Sequence, residues 1–242
     1  MLNTDFMLKT FWLSFKAIPV TLEITLVSLL LALLPAFGIA RARQKKVRFW
    51  SKFSTVYVSF MRGTPVVLQI LIVYSLLPSL LNNFFTRHSV SVNIFDLNPI
   101  LYAFVVFTLN TIAVLSEVFR SALNAVDKGQ YEAALCAGLT RFQSYVRIVI
   151  PQALVSAMPN ICNLTVTLIK NTSLAFMMTV KDVTAVAKIQ AAYGFNYIEA
   201  YLDIFVIYII VCSVVQLIFR FCEKKLTKTG VKNTRKIIGK TV

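Results

Sequence analysis

The chain reads as an all-α, polytopic membrane protein with about five transmembrane helices. Three observations predict this. Of its 242 residues 57% are hydrophobic and only 14% are charged, too little charge to cover a water-soluble domain of this size. Apolar runs long enough to cross a bilayer recur along it. The basic residues gather directly after apolar runs, as they do at the cytoplasmic flanks of membrane helices.

A spanning helix needs about 20 mainly apolar residues, because each adds about 1.5 Å across a hydrocarbon core near 30 Å. The runs fall at about 19–40, 55–80, 99–122, 153–180 and 201–221. The first basic cluster is Arg41, Arg43, Lys45, Lys46, Arg48 and Lys52. The second is Arg220, Lys224, Lys225, Lys228, Lys232, Arg235, Lys236 and Lys240. Five crossings put both clusters on one side, which predicts a cytoplasmic C-terminus and an external N-terminus. The connections 82–98 and 181–200 are then external, and 127–151 is cytoplasmic. The whole chain, 1–242, reads as a single membrane domain. Its core is at about 19–223 and its basic cytoplasmic tail at 224–242. The stretch Leu2 to Lys16 mixes Phe6, Met7, Phe11, Trp12 and Phe15 with polar residues. It reads either as an amphipathic helix at the outer interface or as the frayed start of the first span.

The connection Asp127 to Gln152, DKGQYEAALCAGLTRFQSYVRIVIPQ, is the longest polar stretch between two spans. Glu132-Ala133-Ala134, then Gly138, then Ile150-Pro151, resembles the EAA loop of permease subunits in bacterial ATP-driven (ABC) importers. The flanking Glu117-Val118-Phe119-Arg120-Ser121 and Ala125-Val126-Asp127-Lys128-Gly129-Gln130 resemble the branch that imports polar amino acids, as does Arg62-Gly63-Thr64-Pro65. The resemblance covers about Thr21 to Glu223. It implies a type I ABC importer permease fold in the bacterial inner membrane, and an import function for polar amino acids. It also implies that Glu132, Ala133, Ala134, Gly138 and Pro151 couple the chain to an ATPase. The implied partners are two ABC ATPase subunits, a second permease subunit (a second copy or a close paralogue), and an extracellular or periplasmic substrate-binding protein. This chain holds no cofactor of its own; ATP and Mg are expected on the ATPase subunits. Residues 128–136 favour a short helix, and Gly138 suits its end.

Ionisable and polar groups inside spans are costly and are candidates for the pathway. Gly63 and Pro65 break the second span and free backbone groups that lipid cannot satisfy, so Arg62, Thr64 and Gln69 read either as part of the path or its gate, or as a packing kink near the cytoplasmic end with Arg62 on lipid phosphates. Glu117 and Arg120 share a helix face. They read either as an ion pair at the cytoplasmic end or as a route for Glu117 to meet a substrate ammonium. Asn160, Asn163, Lys170, Asn171, Thr172 and Ser173 lie along the fourth span and suit a carboxylate or zwitterion. They equally suit hydrogen bonds between helices. The family often has Asp where Asn171 stands, which moves polar uncharged amino acids, cystine included, above strongly cationic ones. Glu23 and Asp203, near outer ends of spans, read as snorkelling charges.

The net charge of +15 lies in membrane-flanking clusters and does not point to nucleic acid. Cys136, Cys162, Cys212 and Cys222 lack metal or redox spacing, His88 stands alone, and no enzyme constellation is present. Gly239-Lys240-Thr241 echoes a phosphate loop, but Thr234 stands where its first Gly is needed. The chain is read as a transporter subunit and not an enzyme. The alternative is an ion-gradient-driven carrier or a channel for small polar solutes.

Overall fold

A computed structural model describes residues 2–45, 48–88 and 94–238, with Arg48 and 227–238 described by backbone alone. Lys46, Lys240 and the Gly239-Lys240-Thr241 stretch lie outside the described residues. All regular structure among the described residues is helical.

Helix α1 (Thr4–Phe15) is capped by Asn3, whose side chain accepts from Phe6 N. It turns at Lys16-Ala17 into α2 (Ile18–Gln44). The N-terminal stretch is thus a helix in its own right and not a frayed end. Its hydroxyls Thr10 and Ser14 are buried while Leu8 and Trp12 are exposed. That inversion suits a helix facing lipid. It packs on α9 (Val183–Gly194) and α10 (Tyr197–Ile238). Asn3 N donates to Glu199 Oε1 at 3.1 Å, which ties the N-terminus to α10. Asp203 does not snorkel as expected. It is 4% exposed, because α1 covers the α10 face that carries it.

The second predicted span is realised as two helices, α3 (Arg48–Gly63) and α4 (Val66–Arg87). Pro65 lacks an N–H and its ring excludes the carbonyl one turn back, so the helix stops and restarts. Pro65 is extended (ψ 133°), and its carbonyl accepts from Leu68 N and Gln69 N as α4 begins. The break lies level with the middle of α5 (Ile100–Ala125). Tyr57 Oη donates to Leu109 O at 2.6 Å, and Val58 and Met61 pack against Ala113.

The cytoplasmic-loop candidate forms α6 (Lys128–Cys136) and the one-turn α7 (Arg141–Ser144). A π-turn at Tyr145–Val149 then leads into α8 (Ile150–Asn171). Pro151 has no N–H to offer a carbonyl four residues back, which accounts for the widened turn before it. Beyond Asn171 the fourth span does not continue as α-helix. It runs as a 3₁₀ segment, Thr172–Met178, and ends at Thr179 with φ +60°. The connection 181–200 is largely occupied by α9 rather than irregular.

Helix α5 is the central rod. Tyr102, Ala103, Val106 and Phe107 pack with Ile24 of α2, Ile70 of α4, Leu168 of α8 and the 3₁₀ residues Ala175 and Met178. Lower down, Ile112 and Leu115 meet Ala32 and Ala36 of α2 and Leu164 of α8. Alanines on α2 let the backbones approach closely, the usual basis of helix association in lipid. Among the described residues, five helical stretches are long and apolar enough to cross a membrane: Thr4–Gln44, Val66–Arg87, Ile100–Ala125, Arg141–Met178 and Tyr197–Leu226.

Candidate functional site

Two regions draw the predicted residues together. The first is a groove of about 300 Å³ between α5 and α8. From α5 it is lined by Asn110, Thr111, Val114 and Val118, and from α8 by Asn160, Asn163, Leu164, Thr167, Leu168 and Asn171. The α8 spacing is that of one helical face. Four asparagine amides therefore line one groove between two helices. Among the described residues, no protein group hydrogen-bonds the side chains of Asn160, Asn163 or Asn171.

The groove is wired to the break in the second span. Asn110 Nδ2 donates to Gln69 Oε1 at 3.2 Å. Gln69 Nε2 in turn donates to Met61 O at 2.9 Å, Thr64 O at 3.2 Å and Thr64 Oγ1 at 2.8 Å. Thr64 Oγ1 donates to Phe60 O at 2.9 Å. The carbonyls released by Pro65 are thus satisfied by side chains, as a broken helix away from water requires.

Several predicted pathway residues lie elsewhere. Arg62 is exposed in the last turn of α3, before the break. Lys170 is exposed and sits on the flank between the groove face and the α10-facing side of Cys162, Val166 and Ile169. The heptad spacing of Asn163 and Lys170 leaves them about 20° apart, enough to put Lys170 past the rim. Thr172 is fully buried and donates to Ile169 O at 2.7 Å, and Ser173 continues the 3₁₀ turn. Glu117 is held at the end of α2 and α5: Arg43 Nη1 donates to Oε1, and Arg120 Nη2 donates to Oε2 at 2.7 Å. The sequence reading missed Asn110, Thr111 and Thr167. Asn110, an amide in the middle of an apolar run, was the available signal.

The second region is the loop 127–144. Asp127 caps α6 by accepting from Gly129 N at 2.8 Å. The helix ends in a Schellman motif: Gly138 N donates to Leu135 O and Leu139 N to Ala134 O, with Gly138 at φ +82°. Thr140 and Gln143 form a capping box for α7. Glu132, Ala133 and Gly138 are exposed, as is Pro151. Ala134 departs from the expected docking set. It is 7% exposed and turns inward, because successive helical residues point about 100° apart. Beside the loop lies a cleft of about 720 Å³, bordered by Arg41, Gln44, Tyr131, Glu132, Arg141 and Tyr145 among others. The Arg41 guanidinium stacks 4.0 Å over the Tyr145 ring, and Tyr145 Oη donates to Gln44 Oε1 at 3.2 Å. These contacts join the end of α2 to the π-turn.

Residues 28–228 match the family of binding-protein-dependent transport system inner membrane components. The chain belongs to this family. It is 32% identical over 227 residues to the probable amino-acid permease protein YxeN of Bacillus subtilis (strain 168), covering 94% of this chain and 97% of that protein. It is 33% identical over 215 residues to the L-cystine transport system permease protein TcyL of the same organism, covering 89% and 87%. A crystal structure of an amino acid ABC transporter with histidines shares the fold, with TM-score 0.76 and 23% identity over 93% of this chain and 99% of that one. The permease fold expected from the EAA-like loop is therefore the fold found. A permease subunit of this family is a multi-pass membrane component and not the ATPase. It works with a substrate-binding protein and an ATPase carried on other chains.

Proposed function

We propose that this chain is the membrane-spanning subunit of an ATP-driven importer for polar amino acids, cystine included, and that the solute passes along the groove between α5 and α8. The observation that carries this is the set of amides on Asn110, Asn160, Asn163 and Asn171, gathered in one cleft beside a broken span. A zwitterion stripped of water needs both donors and acceptors, and amides supply both. The relatives named for amino-acid and cystine transport support the solute class.

The exposed Glu132, Ala133 and Gly138 form the handle for two ATPase subunits. Movement there reaches the spans through Tyr145, Gln44 and Arg41. A second permease subunit, a copy or a close paralogue, closes the groove from the other side. A binding protein delivers solute at the outer end. The basic flanks favour an N-terminus outside and the loop inside the cell membrane.

Uptake into vesicles holding the complete transporter tests this reading. Accumulation of radiolabelled L-cystine or L-glutamine should require internal ATP and the binding protein. Uptake that runs instead on a sodium or proton gradient, without ATP, overturns it in favour of a carrier. Thiol labelling of the exposed Cys136 in cells tests the orientation. Modification by a membrane-impermeant reagent from outside would refute a cytoplasmic handle.

A further inference from the structure

The amide of Asn110 differs from the other three in the groove because its orientation is fixed. Met61 O and Thr64 O are backbone carbonyls and can only accept. The group of Gln69 that faces them, at 2.9 and 3.2 Å, must therefore be its NH₂. That turns Gln69 Oε1 toward Asn110, 3.2 Å away. Since Oε1 also only accepts, Asn110 must present Nδ2 to it, and Oδ1 is left over. The usual ambiguity of an amide flip is removed by two carbonyls at the α3–α4 break. Among the described residues, Asn110 Oδ1 accepts from no protein donor, and Asn110 lines the groove.

We infer that Asn110 Oδ1 is the ammonium subsite of the groove, a pinned acceptor that receives the amino group of the transported solute. This rests on the proposed passage of solute through the groove. An amide free to rotate serves either end of a zwitterion. A pinned one discriminates, because flipping it would set like atoms against each other at Gln69. Gln69 is then a positioning residue: it touches no solute, but it decides which atom of Asn110 faces the groove. The break at Thr64-Pro65 gains a second use, since the carbonyls it frees are the reference that orients the chain of amides.

The test is uptake by the complete transporter in vesicles, using whichever of radiolabelled L-cystine, L-glutamine and L-arginine the unmodified complex takes up fastest. Asn110→Leu should raise KM about tenfold, equivalent to about 1.4 kcal/mol, the lower end of the range for a hydrogen bond to a charged group. Asn110→Gln keeps both an N–H donor for Gln69 and an acceptor oxygen and should hold KM within about threefold. Should Asn110→Leu fail to assemble, Asn110→Ala replaces it and should also raise KM. Equal KM shifts for Gln and Leu, or no shift for Leu or Ala, overturn the subsite. If the subsite fails while Asn163→Leu and Asn171→Leu still impair uptake, the groove remains the path. If Asn110→Leu, Asn163→Leu and Asn171→Leu all leave uptake unchanged, the path itself is misplaced.

Discussion

Arg43 and Glu117 lock the last turn of α2 to α5. Arg43 Nη1 donates to Glu117 Oε1, and Arg120 binds the other carboxylate oxygen through Nε at 2.9 Å and Nη2 at 2.7 Å. The Arg43 and Glu117 side chains are each 18% exposed, so the pair is only partly screened by solvent. Removing one partner of a buried pair leaves the other uncompensated, at about 3–5 kcal/mol when burial is complete. With this exposure Glu117→Ala should destabilise by about 2 kcal/mol, and Glu117→Gln by less. Thermal unfolding of the purified permease in detergent measures both. An unchanged midpoint for Glu117→Ala would show that the clamp contributes nothing.

Gln69 supplies the donors for two carbonyls at the α3–α4 break, and it is 8% exposed. A buried acceptor left without a partner costs about 1–3 kcal/mol. Gln69→Leu should lower stability by that order. Thr64→Ser keeps the hydroxyl and should be nearly neutral. The comparison of the two midpoints checks whether hydrogen bonding or mere volume holds the break.

Gly138 closes α6 in the left-handed region, and a Cβ placed on it would meet nothing within 4 Å. The cost of Gly138→Ala is therefore backbone strain alone, about 1 kcal/mol. Gly138→Asn should cost less, since Asn tolerates this conformation. Both variants should insert, and Ala should weaken binding-protein-stimulated ATPase activity more than Asn. Equal stimulation in both would separate the Schellman turn from coupling.

Asp182 caps α9 by accepting from Ala185 N at 2.8 Å, and Tyr208 Oη donates to its other oxygen at 3.3 Å. Full burial pushes its carboxyl up to about 6, against the pull of those hydrogen bonds. The folded state thus binds this proton more tightly than the unfolded chain. The associated stability is complete below about pH 4 and is lost as pH rises through about 6. Asp182→Asn keeps a capping oxygen and removes the charge. It should match the unmodified protein near pH 3.5 and exceed it at pH 7.5, by ~3 kcal/mol. Melting curves at the two pH values decide this, and a parallel offset at both would refute it.

Much of the site was legible in the residues themselves. The EAA-like segment was placed on a short helix ending at Gly138, and that is what forms, because caps and left-handed turns are set by neighbours in sequence. The break at Arg62-Gly63-Thr64-Pro65 was legible for the same reason. Its consequence was not: periodicity shows that Pro65 interrupts a helix but not which side chain satisfies the carbonyls, and Gln69 does so from the next helix. Asn163 lines the groove, whereas Lys170, which shares its heptad spacing, does not. A rotation of about 20° carries Lys170 past the rim, and only the packing of α5 against α8 defines where that rim lies.

Composition and the recurring apolar runs by themselves determined that the chain is a helical membrane protein, because hydrocarbon forces each crossing to satisfy its backbone internally. Local chemistry likewise determined the caps and breaks. The tertiary structure alone decided that Ala134 and Asp203 turn inward, that Glu117 is held by Arg43 from another helix, and that Asn110 joins the three asparagines of α8. Those outcomes depend on which helix faces meet, and facing is a property of the packed bundle rather than of any single segment.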